Sequence, residues 1–168
     1  FLYFENDVDN YIYLLDDPNG TELEEVLIAR RSQRDAEFDG YEFSVKTDFD
    51  LFNGNLSVLL GKDSVDGKFS DGSNIPRITP SRDIYSFIYT QDGLTFDLSL
   101  KDVKSQHDVA AGESTTDGFD MVDLTVSKSF NLYSEDDLTL SFFGSNLTDK
   151  VARNHSSYVK NEVPLAGR

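Results

Sequence analysis

Leu94-Thr95-Phe96-Asp97-Leu98-Ser99-Leu100-Lys101 alternates without a break. In an extended chain Leu94, Phe96, Leu98 and Leu100 share one face, and Thr95, Asp97, Ser99 and Lys101 share the other. The pattern predicts a strand over Leu94–Gln106. Working outward, Gln91-Asp92-Gly93 reads as a tight turn and Arg82–Thr90 as the strand before it. On the other side His107–Asp117 is a polar loop. The strand Phe119–Phe130 follows, with Val122, Leu124 and Val126 set against Asp123, Thr125 and Ser127. A turn over Asn131–Asp137 leads to Leu138, Leu140 and Phe142, which alternate with Thr139 and Ser141.

The N-terminal half repeats the pattern. Phe1–Leu15 is a first strand with a bulge or kink near Asn6-Asp7-Val8-Asp9-Asn10, and Asp16-Asp17-Pro18-Asn19-Gly20 is a turn. A long strand over Glu25–Asp50 sets Tyr41, Phe43, Val45, Phe49 and Leu51 against Glu42, Ser44, Lys46, Asp48 and Asp50. Glu22–Ser32 has the best helical pattern in the chain and reads equally well as the top of that strand. Phe52-Asn53-Gly54-Asn55 is a hairpin of the Asn-Gly type, Leu56–Asp66 is the next strand, and Asp66–Pro80 is a polar loop. About seven strands result, joined alternately by tight turns and longer loops. Short connections on one side and long ones on the other describe an outer-membrane barrel. Mid-strand Lys46, Asp48, Asp97, Lys101 and Asp123 would then line its interior. A secreted β-sandwich binding module, for carbohydrate for example, gives similar alternation and is the alternative.

No apolar run approaches the roughly 18 residues of a membrane-spanning helix. A mean hydropathy of −0.42 still suits barrel strands, whose two faces average out. The 31 acidic and 15 basic residues give a net charge of −16, and with no basic stripe the chain is expected to bind no nucleic acid. With no cysteine there can be no disulfide, thiolate metal site or cysteine nucleophile. Phe1-Leu2-Tyr3-Phe4-Glu5 reads as mid-strand, without an initiator Met or signal sequence, so truncation at both ends is expected.

The segment Phe142–Arg168 passes from a strand through Asn146-Leu147-Thr148-Asp149-Lys150 to Pro164 and Gly167-Arg168. It resembles the end of a TonB-dependent outer-membrane receptor, where an N-L-x-D-K element opens the last extracellular loop and P-G-R introduces the final strand. Ala36-Glu37-Phe38-Asp39-Gly40-Tyr41-Glu42, Ile75-Pro76-Arg77-Ile78-Thr79-Pro80 and Thr116-Asp117-Gly118-Phe119-Asp120-Met121-Val122-Asp123-Leu124 resemble further elements of that family, in the same order. Ala152-Arg153-Asn154-His155-Ser156-Ser157-Tyr158-Val159-Lys160 and Pro164-Leu165-Ala166-Gly167-Arg168 are most similar to its zinc-uptake members, apart from Ala166 where proline is usual. The resemblance implies an all-β, antiparallel up-and-down transmembrane barrel of about 22 strands. Residues 1–168 would be its C-terminal part, roughly strands 15–21, with the final strand and the N-terminal plug absent. It also implies the outer membrane of a Gram-negative bacterium, outer-membrane lipid as surroundings, and coupling through the plug to TonB–ExbB–ExbD. The cargo would be a small metal ion or metal chelate, zinc or siderophore-like iron, taken as cargo and not as a cofactor. Strands left unpaired at both sheet edges predict that the isolated piece aggregates or needs a partner or detergent.

The two histidines, His107 and His155, fall in expected extracellular loops. With Asp102, Asp108, Glu113, Asp149 and Glu162 nearby, they are the candidate metal ligands, because imidazole and carboxylate suit zinc. Asp63–Gly72 lacks the ligand spacing of a calcium loop and reads as a turn. Neither a Gly-x-Ser-x-Gly element nor a partner for Glu24-Glu25 supports catalysis, so no enzyme and no cofactor are expected.

Overall fold

A computed structural model describes residues 1–16, 29–133 and 136–165. The period-two segments become seven strands: β1 (Leu2–Asp16), β2 (Ala29–Leu51), β3 (Gly54–Phe69), β4 (Arg82–Gln91), β5 (Leu94–Val103), β6 (Phe119–Tyr133) and β7 (Asp136–Gly144). They form one sheet in sequence order, and every neighbouring pair is antiparallel. This is the expected all-β up-and-down arrangement, open between β1 and β7. Of the Glu22–Ser32 stretch, residues 29–32 belong to β2; residues 22–28 and the turn residues 17–20 lie outside the described residues, as do 166–168.

The pairings align the side chains into rows. Val45, Leu60, Tyr85, Leu100 and Val122 lie opposite one another across five strands. Below them run Thr47, Val58, Phe87, Leu98 and Leu124, then Phe49, Leu56, Tyr89, Phe96, Val126 and Phe142. This apolar band stays open to the surroundings; Phe49 is 51% exposed and Phe142 65%. A water-facing sheet would not leave so continuous an apolar surface uncovered, whereas lipid requires one. The other face carries Lys46, Asp48, Ser57, Ser86, Asp97, Ser99, Lys101 and Asp123, so the expected interior residues do share one side.

Polar groups bound the band above and below. Toward the long loops the row Lys62, Asp83, Asp102 and Asp120 follows directly. Lys62 and Lys104 reach Asp83 at 3.2 and 3.1 Å, Lys104 also reaches Asp102 at 2.5 Å, and Lys150 reaches Asp120 at 3.7 Å. Toward the tight turns the Tyr89 hydroxyl lies 3.2 Å from the Leu51 carbonyl, and Lys128 Nζ donates to the Asp92 carbonyl at 2.5 Å. The long apolar stems of these side chains lie along the band while their polar ends reach its edge. From the Lys62 row to the Gly54 row is roughly 26 Å along a strand. The usual barrel tilt brings that to roughly 20 Å, near the apolar height of an outer membrane.

Several boundaries differ from the sequence reading; of the turn expected over Asn131–Asp137, β6 takes residues up to Tyr133 and β7 begins at Asp136. The β2–β3 turn is Phe52-Asn53, with φ of 47° and 62°, and Leu51 pairs with Gly54. Gly54, now in the strand, lies against β4: a Cβ there would come within 2.6 Å of the Tyr89 hydroxyl and 2.5 Å of the Thr90 carbonyl, so only glycine fits. β3 continues past Asp66 to Phe69, because β2 still offers partners as far as Ala36. β5 stops at Val103, short of Gln106, because the Lys104 amide turns to the Ser81 carbonyl at 2.9 Å and Gln106 pairs with Thr116.

The expected bulge in β1 lies between Val8 and Tyr11. Asn10 adopts φ 55°, and its amide donates to Asp35 Oδ1 at 2.8 Å. The extra residue reverses the alternation, so Tyr11 and Tyr13 come to the same face as Phe38 and Ala36. There they pack with Phe69, Ile75 and Ile78 under the loop after β3. Gly67 sits in this cluster because a Cβ would meet Ile78 at 2.9 Å and Phe38 at 3.1 Å.

Replacing Leu98 with arginine in the apolar band should destabilise the folded full-length protein in lipid vesicles by about 2–4 kcal/mol. Ser99→Arg, one residue away on the opposite face, should change it by less than about 1 kcal/mol. Urea titration of the reconstituted protein checks both.

Candidate functional site

Three loops meet above the polar face: residues 70–81, 104–118 and 145–165. Their meeting point is a buried polar group. Glu113 Oε1 accepts from Lys160 Nζ at 2.7 Å, from His155 Nε2 at 3.2 Å and from the Arg77 amide at 3.0 Å, while Glu113 Oε2 accepts from the Ala110 amide at 3.1 Å. His155 Nδ1 lies 2.9 Å from the Thr116 hydroxyl. His155 is 2% exposed, Thr116 and Lys160 are 5%, and the Glu113 side chain is 6%. Lys160 Nζ also lies across the imidazole, 3.3 and 3.4 Å from its two nitrogens. The ring is thus held from both sides, Nε2 facing the Glu113 carboxylate and Nδ1 the Thr116 hydroxyl.

Burial acts to raise the Glu113 carboxyl, but the hydrogen bonds from His155, Lys160 and Ala110 outweigh it and hold it down at about 2. One carboxylate thereby ties the Arg77 loop, its own loop and the last loop together. A stacked contact adds to this, with the Arg77 guanidinium carbon 3.6 Å over the Tyr158 ring. Both nitrogens of His155 are thus engaged within the protein. His107 stands apart in an exposed part of the second loop. Among the described residues no three His, Asp or Glu side chains gather as a metal would require.

The last loop is anchored to the sheet by the Asn-Leu-Thr-Asp-Lys element. Asn146 takes φ 51° and is 2% exposed. Its side chain accepts from the Lys150 amide at 3.1 Å and donates to the Lys150 carbonyl at 3.0 Å. Asp123, on the polar face of β6, accepts from the Asn146 amide at 2.8 Å and the Ser145 hydroxyl at 2.6 Å. Leu147 N–H bonds the Val122 carbonyl at 2.8 Å. Asp123 therefore holds the turn as well as facing the interior, a role its place in an alternating strand does not reveal.

Two hollows flank the polar group. One, of about 430 Å³, is lined by Tyr11, Tyr13, Arg31, Arg77, Ile78 and Tyr158 among others. The second, of about 230 Å³, lies between β4–β6 and the last loop.

A lipid-facing band, a polar inner face and loops gathered at one end form the wall and mouth of a membrane barrel. The family model described as "TonB dependent receptor-like, beta-barrel" matches residues 3–147. The chain belongs to that family. Comparison with curated proteins returned no match. The receptor segment therefore lies in the outer membrane of a Gram-negative bacterium and serves a transport receptor coupled to TonB. The long loops are extracellular and the tight turns periplasmic, as in barrels generally. In a single up-and-down sheet with a lipid band, the soluble sandwich has no place.

Glu113 titrates below its free value of 4.5, so its contribution is complete above about pH 4.5 and is lost as pH falls toward 2. The difference corresponds to about 3 kcal/mol. The protection factors of the Arg77 and Ala110 amides of the full-length receptor, taken against the intrinsic exchange rate at each pH, should fall through this range. Glu113→Gln should leave both amides poorly protected at neutral pH.

Proposed function

We propose that this transport receptor imports a metal ion or metal chelate, zinc or a siderophore-like iron complex. The reading is carried by the similarity of Ala152–Lys160 to zinc-uptake receptors, together with the position of this stretch at the extracellular mouth. His155 and Lys160 of that stretch join Glu113, and Tyr158 lies under Arg77. Residues that resemble the metal-uptake members therefore build the entrance that cargo must pass.

In this mechanism the barrel wall does no covalent chemistry. The loops, tied by Glu113, offer a fixed entrance surface. The polar inner face keeps the passage wetted, and TonB coupling through the plug supplies the energy for release. His107, exposed in the neighbouring loop, remains a candidate metal ligand under this reading.

Cells whose only route for the cargo is the full-length receptor should take up radiolabelled zinc or radiolabelled ferric citrate saturably. A protonophore should abolish that uptake. Uptake of neither metal source, with receptor-dependent growth on a metal-free nutrient, would overturn the metal assignment.

A further inference from the structure

The smaller hollow combines an apolar floor with a ring of cations. Its floor is Val103 and Phe119, both 9% exposed, and Leu165 closes one side. Around this apolar floor stand Arg82, Lys101 and Arg153. In a chain of net charge −16, no carboxylate lines it among the described residues. Arg82 engages Asp63 through Nε, at 2.9 and 2.7 Å. The cross-strand neighbours of Lys101 are Ile84 and Met121, so no acid on either flanking strand stands opposite it.

The roof is fixed by this chain's own bonds. Arg153 Nη1 donates to the Lys160 carbonyl at 2.7 Å, and the Leu165 amide donates to the Ala152 carbonyl at 2.7 Å. Ala152, at 1% exposure, packs directly on Val103 and Phe119. His155, held by Glu113, lines the same hollow. The recess is therefore preformed and needs little ordering when filled.

We propose that this recess is an anion subsite on the inner wall, taking a carboxylate-bearing organic group with a small apolar body. Its oxygens would accept from Lys101, Arg82 and Arg153 while the apolar part rests on Val103 and Phe119. The volume accommodates one acidic arm of a chelate and not a whole complex. A bare metal cation is disfavoured there by Lys101 and Arg153, Arg82 being already paired with Asp63. A carboxylate of another part of the receptor is the competing occupant. The enclosed roof and apolar floor favour a small ligand, since an ion-pair rail along a wall needs neither.

This assignment rests on the chelate-transport reading, and its test is separate from uptake. The full-length receptor, purified in detergent, would be titrated with fluorobenzoate and followed by fluorine NMR, with fluorobenzyl alcohol as the uncharged control. Saturable binding of the acid alone is expected. It should weaken about tenfold in Lys101→Met and in Arg153→Gln. Lys46→Met, on the same face but lower in the wall, should bind as the native protein does. Absence of saturable binding, binding in the two recess variants as tight as in the native protein, or equal binding of the alcohol would overturn the proposal. Loss of thermal stability in both variants without any binding of the acid would give the recess to a receptor carboxylate, and overturns it too. Metal uptake that persists in those cases leaves the transport reading standing and removes only the subsite.

Discussion

A sheet in which each strand bonds only its sequence neighbours can keep one face apolar only if no ladder slips by a single residue, because such a slip exchanges the two faces. Ladders β2–β3 to β5–β6 run without a shift, which is why the three apolar rows cross β2 to β6 unbroken. The two shifts lie in the outer ladders, at Val8/Tyr11 and Asn131/Tyr133. The first has a clear consequence: it brings Tyr11 and Tyr13 onto the inner face, over Ile75 and Phe69. At the mouth the parity that presents the sheet to lipid is thus broken where the inner core requires it.

That mouth depends on a different balance. Burying Glu113, His155 and Lys160 forfeits the hydration of a carboxylate and an ammonium, a loss recovered only when every donor finds its acceptor. The three loops supply the partners between them: two backbone amides, an imidazole, a hydroxyl and an ammonium. Removing one partner leaves an uncompensated charge, so the loops are held as one unit. The same arrangement positions Ala152–Leu165 as the roof of the cationic recess. Loop packing and the character of the entrance are therefore one problem.

Much of this was legible in the sequence. Seven strands, their faces, the β1 bulge and the grouping of Lys46, Asp48, Asp97, Lys101 and Asp123 follow from period two alone. The turn at Phe52-Asn53 was not, because local chemistry favours Asn53-Gly54, and the close approach of β4 at Gly54, through Tyr89 and the Thr90 carbonyl, is a tertiary contact that no local pattern shows. The site was the least visible part. His155 and Glu113 both stood among the metal-ligand candidates, yet their pairing spans two loops with β6 and β7 between them, and no local spacing encodes it. Lys160 was read only as the end of the Ala152–Lys160 motif, and neither its burial nor its ion pair with Glu113 is encoded there.

The central claim is that one face of this sheet meets lipid and the other the interior of a barrel. Nitroxide labels placed in turn at Leu98 and Ser99 of the full-length receptor in lipid vesicles test it most directly. The label at position 98 should be relaxed strongly by oxygen and weakly by a water-soluble nickel chelate, with the reverse at position 99. Equal accessibility of both positions to the nickel chelate would contradict the account.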